Sequence, residues 1–197
     1  EIRITMPHYT PTNVALDFVD KKREWIATRL NSAPDIAPIA PGSEIAVEGE
    51  SHLIEWREEW PRSIRCGEGM LRLGGPRESV EARILRWLKG EARRIFTKEI
   101  AHYCDKAGEP VPRLSLGDPR SRWGSCSSRG TISLSWRLIM APASVRRSVI
   151  AHEVAHMRHM NHSPDFYAWL DVLFEGNRKA ADQWLKMHGT GLQRVGR

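Results

Sequence analysis

The sequence predicts an α+β protein, in which a small antiparallel sheet packs against a histidine-bearing helix and a second, longer helix. From Ser79 to Cys104 the apolar residues recur at helical spacing, which predicts a long amphipathic helix. From Thr131 to Ile139 apolar and polar residues alternate, which predicts a half-buried strand. Between Glu44 and Leu73, short runs of strand-forming residues are separated by Gly and Pro, so the N-terminal part is expected to be rich in β-structure.

The residues before Glu44 are predicted to contain a strand, a helix and a linker. Residues 2–6 have a strand-like pattern. Residues 13–30 carry apolar side chains at near-helical spacing, namely Val14, Phe18, Trp25 and Ile26. Residues 31–43 are rich in Pro, Ala and Ser, which is typical of a linker or a long loop. The strands within residues 44–73 then predict a small antiparallel meander.

The long helix and the alternating strand are expected to supply much of the core. The apolar stripe of the helix comprises Val80, Ile84, Trp87, Leu88, Ala92, Ile95, Phe96 and Ile100. In the strand, Ile132, Leu134 and Trp136 are predicted to point to one face of the sheet. Ser133, Ser135 and Arg137 are predicted to point to the other face.

Three shorter helices are predicted to complete the chain. One begins near Pro142 and carries the histidines, the next begins at the N-cap pair Ser163 and Pro164, and the last runs from Asn177 to Lys186. These elements divide the chain into a helix and β-meander part over residues 1–76, a core over residues 77–189 and a flexible tail over residues 190–197, which are also compatible with one continuous domain.

The composition indicates a globular protein without membrane spans. The chain is 41% hydrophobic and 27% charged, and it has neither an apolar run near the roughly 20 residues that cross a bilayer nor the apolar centre of a signal peptide. The widely spaced Cys66, Cys104 and Cys126 argue against a disulfide framework and favour reduced thiols in the cytoplasm. The net charge of +6 favours anionic partners such as nucleic acid, although charge spread along a chain is more typical of a solvated surface.

A cluster of histidines carries the candidate chemistry. His152, Glu153 and His156 form the motif H-E-x-x-H. On a helix the two histidines lie one turn apart on the same face, so both imidazoles can reach one metal ion at about 2.0–2.1 Å. Glu153 is rotated by about 100° around the helix, which places its carboxylate beside the ion, where a general base for a metal-bound water belongs.

The candidates for a third metal ligand are His159, His162, Asp171 and Glu175. His159 lies two turns from His152 along a straight helix axis, which suits a tetrahedral ion poorly. His162 lies just before a helix start, so a turn can bring it back to the ion from another direction. Its spacing is that of metzincin-type sites, although His159 stands near the bend where those sites have glycine. Glu175 is the thermolysin-like alternative, and the geometry favours His162.

Residues 120–142 ("RSRWGSCSSRGTISLSWRLIMAP") and residues 149–170 ("VIAHEVAHMRHMNHSPDFYAWL") together resemble the YgjP-like metallopeptidase family, with the SprT-like and WLM families as more distant relatives. The likeness is strong over residues 120–170 and looser over residues 2–106. It implies a minimal zincin-like fold with its catalytic core in residues 77–189. It also implies one Zn²⁺ per chain held by His152, His156 and His162, with Glu153 as the catalytic base, and a protein or peptide as substrate.

Other side chains near the motif are candidates for contacts with the substrate or with the metal ligands: Arg122, Trp123, Ser125, His159 and Tyr167. Trp123 and its neighbours are expected mainly to brace the turn before the strand, and Tyr167 is a candidate for stabilising an oxyanion. Cys126 is not expected to be a nucleophile, because water at the metal fills that role. The strand over residues 131–139 is predicted to border the cleft and to pair with a peptide backbone.

Two alternative functions use the same metal site. One is hydrolysis of a nucleotide or another non-peptide substrate, which the excess of arginine would suit, although the sequence has no phosphate-binding glycine loop. The other is a protease associated with DNA, although no helix-turn-helix or zinc-finger pattern is present. The pattern does not predict an oligomeric state.

Overall fold

The computed structural model describes residues 4–31 and 38–196, and the chain separates into two units, residues 1–35 and residues 36–197. The first unit contains α1 (Thr12–Lys21) and α2 (Arg23–Asn31). The single helix predicted over residues 13–30 is therefore wrong, because the backbone leaves helical geometry at Lys22. α1 has no buried residue, so its predicted apolar stripe, with Val14 and Phe18, remains exposed.

The first predicted strand and part of the predicted linker have no counterpart that the structure describes. Residues 4–6 do not form a strand, and residues 2 and 3 lie outside the described part of the chain. Of the predicted linker, residues 32–37 also lie outside it, whereas residues 38–43 form bends and a turn before the first strand.

The second unit begins with a four-stranded sheet formed by β1 (Glu44–Val47), β2 (Glu50–Trp56), β3 (Arg65–Gly67) and β4 (Met70–Leu73), in the order β1-β2-β4-β3. The predicted antiparallel meander is wrong in one respect, since β2 and β4 are parallel. The reason lies in burial: β4 contributes the buried Leu71 and Leu73, whereas every residue of β3 is exposed. The apolar strand therefore takes the inner position and the polar strand the edge.

The long helix is confirmed as α3 (Val80–Ala107). Its buried side chains follow the predicted stripe through Val80, Ile84, Leu88, Ala92, Phe96 and Ile100, while Trp87 and Ile95 are half-buried. The helix ends at Gly108, whose φ of 68° is the left-handed conformation that glycine adopts most easily at a helix end. No helix in the described part of the chain combines the length and apolarity that crossing a bilayer requires.

A three-stranded sheet follows, formed by β5 (Arg113–Gly117), β6 (Gly124–Cys126) and β7 (Thr131–Ser135) in the order β5-β7-β6. β7 is parallel to β5 and antiparallel to β6. Ile132, Leu134 and Trp136 are buried as predicted, but the strand ends at Ser135 and the chain continues as a 3₁₀ helix over Trp136–Met140. The central position of β7 contradicts the prediction that it borders the cleft, since β6 is the edge strand on that side.

Arg137 is buried, although the alternation placed it on the polar face of the strand. Its guanidinium donates to both carboxylate oxygens of Asp118, at 2.6 and 3.2 Å, and to the carbonyl oxygens of Leu192 (2.7 Å) and Val195 (2.5 Å). These contacts satisfy a charged group in the interior. They also attach the last residues of the chain, including part of the predicted tail, to the second sheet.

Helices α4 (Ala143–Ala155), α5 (Pro164–Leu173) and α6 (Arg178–Leu192) complete the α+β fold. Ser163 caps α5 by accepting a hydrogen bond from the backbone N–H of Phe166 at 3.3 Å, as its position before Pro164 predicts. Asn177, the predicted start of the last helix, is the N-cap of α6, which extends six residues beyond Lys186, to Leu192. The predicted boundary between residues 76 and 77 lies inside the second unit.

The turn between β1 and β2 attaches the first sheet to the 3₁₀ helix that precedes α4. The backbone N–H groups of Glu48 and Gly49 donate to the carbonyl oxygens of Ile139 (2.7 Å) and Met140 (3.2 Å). Gly49 has a φ of 88°, and a Cβ there would lie 2.7 Å from the Cα of Pro142. Only glycine allows this close approach of the two backbones.

Candidate metal centre and active site

Three histidine side chains converge at the end of α4. His152 lies in the last turn of the helix, His156 directly follows it, and His162 lies in the connection to α5. The Nε2 atom of His152 is 3.1 Å from the Nε2 atoms of both His156 and His162. The ligand atoms of the three residues all lie within 4.8 Å of one another.

This donor set fits a metal ion. Ligand atoms around a tetrahedral ion with bonds of about 2.0–2.1 Å are separated by about 3.3 Å, close to the observed separations. Burial and the neighbouring histidines lower the pKa of His152 to about 4, and burial lowers the pKa of His156. The imidazoles of His152 and His156 are therefore neutral near pH 7, and each has a lone pair to offer a metal. A set of three imidazoles suits Zn²⁺ among the first-row ions.

His159 contributes to this centre through its backbone rather than its side chain. The Nδ1 atom of His156 lies 2.9 Å from the carbonyl oxygen of His159, so this ring nitrogen carries the proton and donates it. The hydrogen bond orients the ring of His156 and leaves its Nε2 atom available as a metal ligand. The side chain of His159 is not among the converging ligand atoms.

Phe166 packs against all three imidazoles from the first turns of α5. Its ring stacks on His156 with centroids 4.5 Å apart, and it meets His152 and His162 edge-on at 5.0 and 4.9 Å. Phe166 is fully buried. The ring thus restricts the orientations of the three histidines before any ion binds.

The carboxylates considered as alternative third ligands lie in other interactions. Glu175 accepts hydrogen bonds from the hydroxyl of Tyr103 at 3.1 Å and pairs with Arg147. Asp171 pairs with Arg178 at 3.4 Å. Neither belongs to the group of converging ligand atoms found in the described part of the chain.

Glu153 is only 5% exposed and lies against β6. A Cβ placed on Gly124 would be 2.5 Å from its Oε1 atom, so the strand passes directly over the carboxylate. Burial raises the pKa of Glu153 to about 7, an effect that the nearby Arg122 partly offsets. The carboxyl group can therefore accept and release a proton near neutral pH. Burial and the charge of Glu153 also raise the pKa of the Cys126 thiol, which keeps it a weak nucleophile.

A cleft of about 260 Å³ opens beside His152 and Glu153. Trp123 and Gly124 form its wall on the β6 side, and Tyr167 contributes from α5. α6 supplies Arg178, Asp182 and Leu185. The site therefore combines three convergent imidazoles, a buried carboxylate and a cavity large enough for part of a substrate.

Comparison with known proteins assigns a family to this arrangement. A family model described as the YgjP-like metallopeptidase domain matches residues 1–188. The chain belongs to the YgjP-like metallopeptidase family. The resemblance over residues 120–170 is thereby confirmed, and the chain is an enzyme of the metallopeptidase class.

The chain also shows similarity to a solved structure. The metallopeptidase zymogen abylysin of Pyrococcus abyssi is similar over 46% of this chain and 92% of its own, with 20% sequence identity and a TM-score of 0.43. No significant match was found among curated proteins.

In this YgjP-like chain, the other predicted side chains are distributed around the centre. Trp123 and Tyr167 line the cleft, and the Tyr167 ring lies 6.1 Å from that of His162. Ser125 pairs with Ser133 in the second sheet. Arg122 is exposed beside β6 and acts on Glu153 through its charge.

The sequence predictions missed the contribution of α6 to the cleft. Arg178, Asp182 and Leu185 are spaced by four and three residues, so they share one face of a helix. That spacing indicates a shared face but not what the face contacts. The helix was predicted, but nothing local in the sequence indicates that this face turns towards the histidines.

The close contact between Gly124 and Glu153 supports a prediction about activity. In Gly124→Ala, the added methyl group would displace the Glu153 carboxylate, and a shift on the order of 1 Å in a catalytic group can cost roughly 10²-fold in rate. We expect peptidase activity to fall by about that factor while the metal content stays at the wild-type level. Gly67→Ala is the control, because a Cβ at Gly67 meets nothing within 4 Å. Equal activity of the two variants would contradict the prediction.

Proposed function

We propose that this YgjP-like enzyme is a zinc-dependent peptidase in which His152, His156 and His162 hold the ion and Glu153 is the general base. The observation that carries the proposal is the convergence of three imidazole Nε2 atoms beside a buried carboxylate. A structural zinc site has four protein ligands, whereas three leave a position for water or substrate. The donor set therefore favours a catalytic ion.

Each residue of the proposed site has a defined task. When bound, Zn²⁺ supplies Lewis-acid chemistry that polarises the scissile carbonyl and activates water. Glu153 accepts a proton from the attacking water on its carboxylate and later donates a proton to the leaving amine. Its raised pKa supports both steps, because a group with a pKa of about 7 exchanges protons readily at neutral pH.

We further propose that the peptide substrate binds along β6. β6 is an edge strand of the three-stranded sheet, and its Gly124 abuts the catalytic carboxylate. Edge strands present backbone groups that an extended peptide can pair with. Tyr167, whose ring lies under the guanidinium of Arg178 at 4.8 Å, is the candidate donor to the oxyanion.

Metal analysis of matched variants tests the ligand set. The wild type is expected to bind about one zinc per chain, and His162→Ala is expected to lose it. His159→Ala is the matched control, because it removes an imidazole from the same connection but keeps the carbonyl that orients His156. Glu175→Ala tests the carboxylate alternative. Retention of zinc by His162→Ala, together with its loss in either of the other variants, would overturn the assignment.

Three further predictions about this chain stay predictions. A cytoplasmic location is favoured by three free cysteines, one exposed, one half-buried and one buried. Association with nucleic acid is to be measured as the salt dependence of DNA binding. Hydrolysis of nucleotides in place of peptides is to be measured in a substrate panel of peptides, casein and nucleotides.

A further inference from the structure

A second cavity, of about 440 Å³, lies between α3 and the end of β5. Its walls include Lys89, Gly90 and Arg93 of α3, Gly117 and Asp118 after the strand, and Trp136. We call it the α3 groove. It shares no lining residue with the cleft beside the histidines, so the proposed peptidase function does not account for it.

The α3 groove carries an excess of positive charge. Lys89 and Arg93 are exposed and lie one helical turn apart on the same face of α3. Like charges at this spacing repel each other and weaken the helix. The carboxylate of Asp118, on the opposite wall, accepts two hydrogen bonds from the buried guanidinium of Arg137. Arg137 thus offsets the negative charge on this wall of the groove.

Gly90 leaves space between the two cations. It lies in the middle of α3, where glycine is less favourable than alanine because it loses more conformational freedom on folding. A Cβ at Gly90 would meet no atom within 4 Å, so packing does not require glycine there. Its effect is to keep the helix surface open beneath Lys89 and Arg93.

Trp136 holds one cation over the groove and has an unsatisfied donor of its own. The Nζ atom of Lys89 lies 5.4 Å from the centroid of the Trp136 ring, within the range of a cation–π interaction. Trp136 is 3% exposed, and its buried Nε1 has no hydrogen-bond acceptor in the described part of the chain. A buried donor without an acceptor is rare in folded proteins and costs stability.

We propose that the α3 groove binds a phosphate group, with Lys89 and Arg93 as its cationic ligands. A like-charge pair, a helix-interior glycine and an orphaned indole N–H each work against local stability, and such conflicts concentrate at functional sites. An arginine presents a planar set of donors that matches phosphate oxygens, and a lysine adds a point charge. Bound phosphate relieves the repulsion between the two side chains. The ligand is either a free phosphate compound or the backbone of a nucleic acid.

Calorimetric titration with sodium pyrophosphate, and in parallel with a short single-stranded oligonucleotide, tests the groove. The variant Lys89→Glu/Arg93→Glu is expected to weaken binding of the relevant probe by about tenfold or more, since two charged hydrogen-bonding groups are lost. Its control is Lys98→Glu/Arg129→Glu, which makes the same change in net charge at exposed cations outside the groove and is expected to bind like the wild type. Gly90→Leu, which fills the groove without changing charge, is expected to weaken binding as well.

The results distinguish the source of the phosphate and can refute the site. Tighter binding of pyrophosphate indicates a free phosphate compound, and tighter binding of the oligonucleotide indicates nucleic acid. Either result, with selective loss in the groove variants, supports the proposal. Equal weakening in the Lys98→Glu/Arg129→Glu control would show an effect of overall charge and overturn it. So would unchanged binding in Gly90→Leu, or no binding of either probe by the wild type.

Discussion

Glu153→Gln is expected to lower the rate of peptide hydrolysis by about 10²–10⁴-fold, the usual contribution of a general acid–base group. The amide has nearly the shape of the carboxylate but cannot accept the proton of the attacking water. Because Glu153 is not a metal ligand in the proposed site, the zinc content is expected to stay at the wild-type level. Hydrolysis of casein, measured together with the zinc content, gives both quantities on the same preparation.

The control for this variant is Glu175→Gln, which alters a carboxylate held by Tyr103 and Arg147 outside the histidine cluster. It is expected to retain hydrolysis within a small factor. Activity of Glu153→Gln equal to that of the wild type would refute the role of Glu153 as general base. Loss of zinc from Glu153→Gln would instead indicate that the carboxylate helps to bind the ion.

Arg146→Ala is expected to reduce the free energy of unfolding by about 3–5 kcal/mol, the range for breaking a buried ion pair from one side. Arg146 lies on α4 and is 2% exposed. Its guanidinium donates to both carboxylate oxygens of Glu99 on α3, at 2.9 and 2.7 Å, and to Glu48 in the β1–β2 turn at 3.1 Å. Removing it leaves the carboxylate of Glu99, which is largely buried, without its partner.

Urea unfolding of Arg146→Ala measures this loss, and Arg94→Ala is the matched control. Arg94 also pairs with a glutamate, Glu91, but its side chain is 53% exposed, so its removal is expected to cost less than about 1 kcal/mol. A similar midpoint for the two variants would mean that the buried pair adds no more stability than a surface pair.

The histidine pair was predictable because its geometry is local. Two residues four apart on a helix must share a face, whatever surrounds the helix. His162 also had a local signal, since the N-cap at Ser163 required the chain to turn immediately after it. Both inferences rest on contacts between residues close in sequence, and the structure brings these histidines together.

Two of the errors concern contacts between residues distant in sequence. In the first sheet, β4 and not β3 lies beside β2. This order depends on which strand packs its side chains against the core, and the hairpin pattern in the sequence does not contain that information. The burial of Arg137 depends on Asp118 and on carbonyl oxygens near the end of the chain. The alternation in residues 131–139 predicts one continuous strand. It does not indicate where the strand ends, because Trp136 is buried in the 3₁₀ helix just as it would be in a strand.

The hydrogen bond between the ring of His156 and the carbonyl oxygen of His159 depends on the backbone of this connection and not on the side chain at position 159. Any amino acid at position 159 provides the same carbonyl, so the identity of that side chain is free to drift as far as this contact is concerned. The number of residues between His156 and His159 is fixed by this contact, because an insertion or deletion would move the carbonyl oxygen away from the His156 ring. The contact therefore constrains the length and backbone path of this segment more than its composition.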